Sequence, residues 1–292
     1  MVSHSRLSTG VVKPKRFDVI AVGQALFQIM TPTHGGGVTM APAGGAVTSA
    51  VALARRGLTV GLVTVVDDDP AGRGVVERVA AAGVDTEGVH VAPRRAGLLF
   101  VDRSGATREV GAGADSTDPL EVPDHWSSRV LLVSGLSPVV AHAAALCKAA
   151  RAARRSGAVV VLDVHARWHL WAGHDGRAIR SILREADVVR LSTDDAAVLG
   201  VDPDTVRALT RPRAVLVMSR GADDAWATGP FGHVVRPSRA AGAWVPQSVP
   251  DAFTTEICEA LARAGEPGDD RAALWERALE RGHRAVWAES AR

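Results

Sequence analysis

The sequence predicts an α/β protein with a mostly parallel central sheet covered by helices on both faces. Three observations lead to this fold class. Short Val-rich apolar runs recur along the 292 residues, amphipathic segments separate most of them, and 47% of all residues are hydrophobic. A short apolar run is typical of a strand that is buried on both faces, and alternation of such strands with helices is typical of a parallel sheet.

Six apolar runs are predicted as the strands of this sheet, namely Phe17–Val22, Val60–Val66, Val130–Val133, Ala158–Leu162, Ala186–Leu191 and Ala214–Met218. Apolar residues recur three and four positions apart in the segments predicted as helices. These helices are Val47–Arg56, Gly72–Ala82, Val139–Ser156, Arg177–Glu185, Ala252–Ala264 and Arg271–Ala288.

Two segments interrupt this alternation. Residues 27–43 and 91–112 alternate apolar and polar positions between glycine turns, as short strands do. We expect them to pair as a small sheet, a lid beside the main domain. Residues 1–16 are polar and basic and are expected to form a disordered leader. Residues 17–292 are then expected to form a single domain.

Composition excludes several function classes. The net charge is +2 and the basic residues are scattered, so we expect no nucleic-acid partner. The chain has no long uncharged apolar run and its leader lacks an apolar signal core, so neither a membrane span nor secretion is expected. Cys147 and Cys258 show no metal-ligand spacing, and a reducing cytoplasm is the expected location.

Two segments, one rich in glycine and one rich in acidic residues, are candidates for a ligand site and a metal site. Gly44 and Gly45 precede a helix that carries Thr48, where the backbone could approach a ligand; on these residues alone, a plain loop-to-helix turn is the slightly favoured interpretation. The run Asp67–Asp69 offers carboxylates for a metal. A helix cap by Asp69, with Pro70 at the first helical position, is the favoured interpretation.

Two further segments place charged residues near predicted strand or helix ends. Asp163 and Arg167 follow a buried strand, where open α/β sheets bind ligands. An arginine there can hold a carboxylate, a phosphate or a sugar hydroxyl by paired hydrogen bonds. For His165 and His169 an exposed loop position is favoured over a ligand role. Asp251 opens a predicted helix and on its own is typical of a cap.

The order of these segments resembles the ribokinase or PfkB carbohydrate kinase family over roughly residues 17–288. The segments are FDVIAVGQAL, the Gly44-Gly45 cluster ending in ALARRG, VTVVDDDPAGRGVVERVAAAGVDTEGV, DVHARWHLW, ADVVRLSTDDAAVLG, VLVMSRGADD and SVPDAF. The DVHARWHLW segment is most similar to the branch of 2-keto-3-deoxygluconate kinases and fructokinases. The resemblance implies a ribokinase-like three-layer sandwich with a small β lid.

The resemblance also implies ATP-dependent phosphorylation of a hydroxyl on a sugar or sugar-like molecule such as a cyclitol, with Mg²⁺. Asp251 matches the catalytic base and Asp195 the residue that organises the metal. Substrate contacts are implied at Gln24, Gly44, Gly45, Thr48, Asp163 and Arg167. Nucleotide contacts are implied at Ser192, Ser219, Gly221, Asp223, Ser248, Val249 and Pro250. A homodimer through the lid is a further implication.

Departures from the family pattern leave a second function open. The family's anion-hole loop G-A-G-D is Ser248-Val249-Pro250-Asp251 here, and Pro250 has no N–H to donate. Glu256 and Asp224 stand at family glycine positions and add negative charge near the expected place of a polyanion. The alternative is therefore a catalytically impaired kinase-fold protein that binds a metabolite or partner without phosphoryl transfer.

Overall fold

The computed structural model describes residues 13–30, 37–93, 98–101, 107–110, 120–165, 177–220, 223–237, 249–264 and 271–290. In chain order the strands are β1 (Lys15–Gly23), β2 (Leu26–Met30), β3 (Thr39–Ala43), β4 (Val60–Asp67), β5 (Val89–Ala92), β6 (Leu98–Val101), β7 (Thr107–Val110), β8 (Trp126–Ser134), β9 (Val159–Asp163), β10 (Val188–Ser192), β11 (Val215–Arg220), β12 (Asp224–Gly229) and β13 (Gly232–Pro237).

The helices are α1 (Gly45–Arg55), α2 (Pro70–Ala81), α3 (Leu136–Arg155), α4 (Arg177–Leu183), α5 (Thr193–Leu199), α6 (Pro203–Leu209), α7 (Val249–Arg263) and α8 (Arg271–Ser290). Among the described helices, none is long and apolar enough to cross a membrane.

The central sheet follows the order β13-β12-β11-β10-β9-β8-β1-β4-β5. All neighbouring strands from β11 to β5 run parallel, and β12 and β13 add an antiparallel hairpin at one edge. The predicted mostly parallel sheet is confirmed. Parallel strands place their carboxyl ends at a common edge, which is where open α/β sheets bind ligands.

Two hydrophobic cores lie on opposite faces of this sheet. One contains side chains of α1, α2, α7 and α8, including Val47, Val75, Ile257 and Leu279. The other contains side chains of α3, α4, α5 and α6. Both faces of the sheet are therefore covered by helices, which is the three-layer sandwich that the resemblance implied.

A second sheet has the strand order β3-β2-β6-β7. Its strands fall inside the two segments predicted as a lid, except that β2 begins one residue earlier. Leu26, Ala43 and Leu99 form its own small buried cluster. One boundary differs from the prediction. The start of the second segment lies in β5, which pairs with β4 and therefore belongs to the central sheet.

The expected leader boundary at residue 16 is wrong by two residues, since β1 begins at Lys15. The Lys15 ammonium lies within ion-pair distance of Asp85 and Glu87, and these contacts extend the strand into the polar segment. Residues 1–12 lie outside the described residues.

The cap interpretation of the acidic run is confirmed. Asp69 Oδ1 accepts a hydrogen bond of 2.8 Å from the backbone N–H of Gly72, and Pro70 begins α2. This satisfies a helix-terminal donor that has no partner within the helix. Asp68 pairs instead with Arg73 at 2.9 Å. These contacts are those of a helix N-terminus.

Candidate active site at the carboxyl edge of the sheet

Polar residues converge at the carboxyl ends of five neighbouring strands. Gly23 of β1 is in register with Ser134 of β8, and Ser134 is in register with Asp163 of β9. Farther along the edge, Ser192 of β10 is in register with Ser219 of β11. The parallel pairing thus brings residues far apart in the chain to one edge, where Asp163 was expected; Ser192 and Ser219, implied as nucleotide contacts by the resemblance, lie at the same edge.

Asp163 is the centre of a buried polar network. Its Oδ1 accepts a hydrogen bond of 3.2 Å from Arg190 Nη1, and its Oδ2 accepts one of 2.8 Å from Thr254 Oγ1. Arg190 Nη2 donates to Ser219 Oγ at 3.0 Å. All four side chains are buried. Asp163 therefore sits at the predicted edge, with both carboxylate oxygens held by protein donors.

Arg190 and Thr254 are the residues that sequence reasoning missed. Arg190 interrupts the otherwise apolar stretch Val188–Leu191, and a charged residue within a buried strand is unusual unless it is paired. That interruption was the feature of the sequence that could have identified Arg190 as a residue of a buried polar network. Thr254 lies three residues after Asp251 on α7 and carried no signal of its own.

Ser192 and Asp195 form a capping box at the start of α5. Ser192 Oγ accepts from the Asp195 backbone N–H at 3.0 Å, and Asp195 Oδ2 accepts from the Ser192 backbone N–H at 2.6 Å. Arg190 Nη1 lies 3.8 Å from the same Asp195 oxygen. The two residues matched to the family's metal-organising motif thus have a defined structural role, and Asp195 stays beside the network.

Gln24 and Gly44 lie in direct contact on the lid side of the edge. Gly44 has φ of 102°, and a Cβ placed on it would collide with the backbone oxygen of Gln24. Glycine is required here for both reasons. Gly45 follows as the first residue of α1, and the half-buried Thr48 donates its backbone N–H to the Gly44 oxygen at 2.9 Å. This is also the geometry of a plain loop-to-helix turn.

The remaining predicted site residues fall into three groups. Asp223 is exposed next to β12, and its backbone N–H donates to Arg220 at 2.8 Å. Val249, Pro250 and Asp251 lie in the first turn of α7, which begins three residues earlier than predicted. Arg167, Gly221 and Ser248 lie outside the described residues, as does His169.

His165 follows β9 with φ of 39°, an unusual value for a residue other than glycine. It is partly buried, so the favoured interpretation as an exposed loop residue does not describe it fully. Cys258 of α7 is fully buried near Asp163. Burial and the Asp163 charge raise the pKa of its thiol, which keeps the group protonated and unreactive.

The two acidic residues at family glycine positions are both paired with arginine. Glu256 Oε1 lies 2.6 Å from Arg56 Nη1 at the end of α1, and the same guanidinium contacts Glu259 at 2.7 Å. Asp224 lies 3.5 Å from Arg220. Each carboxylate therefore has a cationic partner, which offsets the negative charge that it adds near the expected place of a polyanion.

A cavity of about 610 Å³ lies at the opposite end of the sheet. Its lining includes Trp126 and Ser128 at the start of β8 and Lys148 and Ala152 in the second half of α3. None of the predicted site residues lines it. The polar network at the carboxyl edge, rather than this cavity, is therefore the candidate active site.

Comparisons with known proteins agree with this architecture. The pfkB family carbohydrate kinase model matches residues 16–242, a match that ends before Ser248–Asp251. The 5-dehydro-2-deoxygluconokinase of Bacillus velezensis is 27% identical over 247 residues, which cover 76% of this chain and 75% of that protein.

Two solved structures support the fold. Aminoimidazole riboside kinase from Salmonella enterica, complexed with aminoimidazole riboside and an ATP analog, superposes with a TM-score of 0.76 at 20% identity, over 94% of this chain and 93% of that chain. Fructokinase from Xylella fastidiosa with bound ATP gives a TM-score of 0.72 at 21% identity, over 92% and 90% of the two chains. These likenesses confirm the ribokinase-like fold. The family match, which spans most of the sequence, shows that this chain belongs to the pfkB family of carbohydrate kinases.

Proposed function

We propose that this protein transfers the γ-phosphoryl group of ATP to a hydroxyl of a sugar or sugar acid. Family membership supports the reaction class. The observation that carries the proposal is the 2.8 Å hydrogen bond from Thr254 of α7 to Asp163 at the end of β9. It joins the helix containing Asp251 to the edge of the sheet where α/β proteins bind ligands.

In the proposed reaction Asp251 is the general base. As the acceptor oxygen forms its bond to the γ-phosphorus, the bond from that phosphorus to the β-phosphate oxygen breaks and ADP leaves. The Asp251 carboxylate accepts the proton of the acceptor hydroxyl. The positive end of α7, a helix of 15 residues, would favour negative charge on the transferred group.

The proposed acceptor is a keto sugar acid such as 5-dehydro-2-deoxygluconate. The name of the Bacillus velezensis relative supports this substrate class. Gln24, Gly44, Gly45 and Thr48 would hold its hydroxyls, whereas the fully buried Asp163, whose carboxylate oxygens accept from Arg190 and Thr254, is assigned no substrate contact. Arg167 would pair with the carboxylate of the acceptor, because a guanidinium binds a planar carboxylate through two parallel hydrogen bonds. Other sugars and cyclitols are the competing acceptors.

The residues implied for ATP and Mg²⁺ fit these groups in their chemistry. Asp163 and Asp195 both lie within ion-pair distance of Arg190, and their carboxylate oxygens are donors of the kind that Mg²⁺ prefers. The described residues contain no cluster of three or more His, Cys, Asp or Glu suited to a metal. Mg²⁺ is ordinarily held by one or two carboxylates together with substrate phosphates. Asp195 is the carboxylate assigned to it, and the bound ion would neutralise phosphate charge.

For the nucleotide, the proposed contacts are Ser192, Ser219, Gly221, Asp223, Ser248, Val249 and Pro250. The support for this set is that Ser192 and Ser219 end neighbouring strands and that α7 begins with Val249 and Pro250. A homodimer through the lid sheet and a cytoplasmic location are also proposed, from the resemblance and the composition.

One observation favours the second candidate, a binding protein without phosphoryl transfer. Pro250 lies in the first turn of α7 and contributes no backbone N–H. Loss of one oxyanion donor typically lowers kcat by about 10²–10³. Such a loss slows a kinase and does not by itself abolish transfer, so the kinase is the preferred function.

The test is ADP release with MgATP and a panel of acceptors that includes 5-dehydro-2-deoxygluconate, fructose and cyclitols. We expect turnover with at least one acceptor, and its loss in Asp251→Asn, because the amide cannot accept the proton. The matched control is Asp204→Asn, since Asp204 is an exposed acid in the first turn of α6. It should leave turnover at the wild-type value.

Absence of turnover, combined with a thermal shift caused by one of the acceptors alone, would favour the binding function. A ligand that binds only the folded state must raise the melting temperature. Equal turnover in wild type and Asp251→Asn would show that Asp251 is not the base.

A further inference from the structure

The contact between Thr254 and Asp163 fixes one turn of α7 against the central sheet. Their hydrogen bond joins residues 91 positions apart in the chain, and both side chains are 0% exposed. Thr254 follows Asp251 by three residues, close to the 3.6 residues of one helical turn. Any sliding or rotation of α7 that moves Thr254 therefore moves Asp251 with it.

Arg190 fixes the other side of the same carboxylate. Nη1 donates to Asp163 Oδ1 at 3.2 Å, and Nη2 donates to Ser219 Oγ at 3.0 Å on the next strand. The nitrogens of a guanidinium form a rigid planar fork. Asp163 therefore cannot turn to follow a displaced Thr254 without losing its contact with Arg190.

Stability alone is a poor explanation for this network. Arg190 is 2% exposed, and its Nε has no hydrogen-bond partner among the described residues. Buried ion pairs lose hydration, and well-packed apolar residues of similar volume are often at least as stabilising. What the network supplies is a defined geometry between β9, β10, β11 and α7. Such geometry matters where reacting atoms must approach to within about 3–3.5 Å.

We infer that Thr254 and Arg190 are positioning residues, which act through Asp163 to set the place of the first turn of α7. The inference rests on the proposed function, because that turn contains the proposed base Asp251. Misplacement of a base slows the proton transfer and phosphoryl transfer steps more than it weakens the binding of either substrate. The expected signature is therefore a lower kcat with little change in KM.

The test compares Thr254→Val with Thr254→Ser in the full chain. Valine keeps the shape of threonine and lacks the hydroxyl, whereas serine keeps the hydroxyl. For Thr254→Val we expect kcat to fall by about 10–100-fold, while KM for the acceptor and for MgATP changes by less than about threefold. Thr254→Ser should restore most of the lost kcat.

Thr64→Val is the matched control. Thr64 of β4 is also a buried threonine, and its Oγ1 has no hydrogen-bond partner among the described residues. The same chemical change there should leave kcat unaltered. Arg190→Lys is a second variant, which keeps the positive charge, loses the planar guanidinium and should repeat the kcat effect. Because Arg190 also contacts Ser219 and Asp195, Thr254→Ala, which likewise lacks the hydroxyl, decides the question if Thr254→Val fails to fold.

Hydrogen exchange separates this inference from the proposed function. In Thr254→Val, the backbone amides of residues 252–256 should exchange at least about fivefold faster than in wild type, and in Thr64→Val they should not. If no acceptor is turned over, the proposed function fails, and the hydrogen-exchange rates alone test whether Thr254 and Arg190 position the first turn of α7. Unchanged exchange in an inactive protein, or a wild-type kcat for Thr254→Val in an active one, would overturn the inference.

Discussion

Arg56 and Glu256 form an ion pair of 2.6 Å between the end of α1 and the middle of α7. The Glu256 side chain is only 8% exposed, and Arg56 also holds Glu259. Arg56 follows the last residue of α1, where a cation is favoured by the helix dipole. The acidic residue at a family glycine position is thus part of a contact between two helices.

This pairing predicts that Glu256→Gln leaves nucleotide binding unchanged. KM for MgATP should stay within about twofold of wild type, while the free energy of unfolding falls by about 1 kcal/mol, since Arg56 loses one charged partner. The control is Glu280→Gln, which removes an exposed pair with Arg284 and should cost less than about 0.5 kcal/mol. A severalfold lower KM for MgATP in Glu256→Gln would mean that its charge does face the nucleotide.

A second prediction concerns the glycine at the start of α1. Gly44→Ala should lower the free energy of unfolding more than Gly57→Ala, as measured by urea denaturation. Both glycines have positive φ, 102° and 83°, but only the Gly44 Cβ would collide with another group, the backbone oxygen of Gln24. We expect about 1–2 kcal/mol for Gly57→Ala and about 1–3 kcal/mol more for Gly44→Ala. Equal losses would contradict the close contact.

A third prediction concerns the altered anion-hole loop. The double variant Ser248→Gly with Pro250→Gly should raise kcat, because it restores a backbone donor and the freedom to orient it. An increase of about 10-fold or more is expected from the usual effect of one oxyanion donor. The melting temperature should fall slightly, since proline suits the first turn of a helix. Unchanged kcat would show that the loop donors do not limit transfer.

A fourth prediction concerns pH and His283 of α8. The ring is buried, and its Nε2 donates to the Arg236 carbonyl oxygen at 3.0 Å, which connects α8 to β13. Burial lowers the pKa of His283 below its ordinary value of about 6.5. The unfolded chain therefore binds a proton at a pH where the folded protein does not. Stability is full above about pH 6.5 and is lost as the pH falls below it.

The melting temperature of wild type should therefore decrease between pH 7.5 and pH 5.5, and His283→Gln should weaken that dependence. Glutamine keeps a donor for Arg236 and does not titrate. The exposed His90 supplies the control His90→Gln, which should keep the wild-type dependence. Glu185 does not interfere, because pairing with Arg151 and Arg154 outweighs burial and lowers its pKa, so that its effect lies at more acidic pH. Identical curves for wild type and His283→Gln would contradict the assignment.

Six of the seven parallel strands could be predicted because each contains a mostly apolar run that is buried on both faces, whereas β5 is largely exposed and was not predicted. The Val130–Val133 run, for example, was recognised as a strand, whereas the start of β8 at Trp126–Arg129 was not. Three consecutive polar residues, Ser127, Ser128 and Arg129, follow Trp126 in that half, so it shows no apolar run. The Asp69 cap was also predictable, since it depends only on neighbouring residues in the chain.

Other features depend on distant contacts and left no local pattern. The helices α5 and α6 each bury a single apolar side chain, whereas the equally short α4 buries three, so only α4 shows a clear apolar periodicity. The hairpin β12–β13 has a partly exposed face. The pairing of Arg190 with Asp163 follows from the register of β10 against β9, which no local sequence pattern reveals. The network at the candidate site therefore emerged only from the fold.

The most direct measurement is the mass of 5-dehydro-2-deoxygluconate, and of each sugar and cyclitol in the panel, after incubation with MgATP and the protein. Wild type is expected to add one phosphoryl group to at least one acceptor. Asp251→Asn, with a melting temperature close to that of wild type, should add none. An unmodified panel with wild type and with the Ser248→Gly, Pro250→Gly variant would contradict phosphoryl transfer as the function.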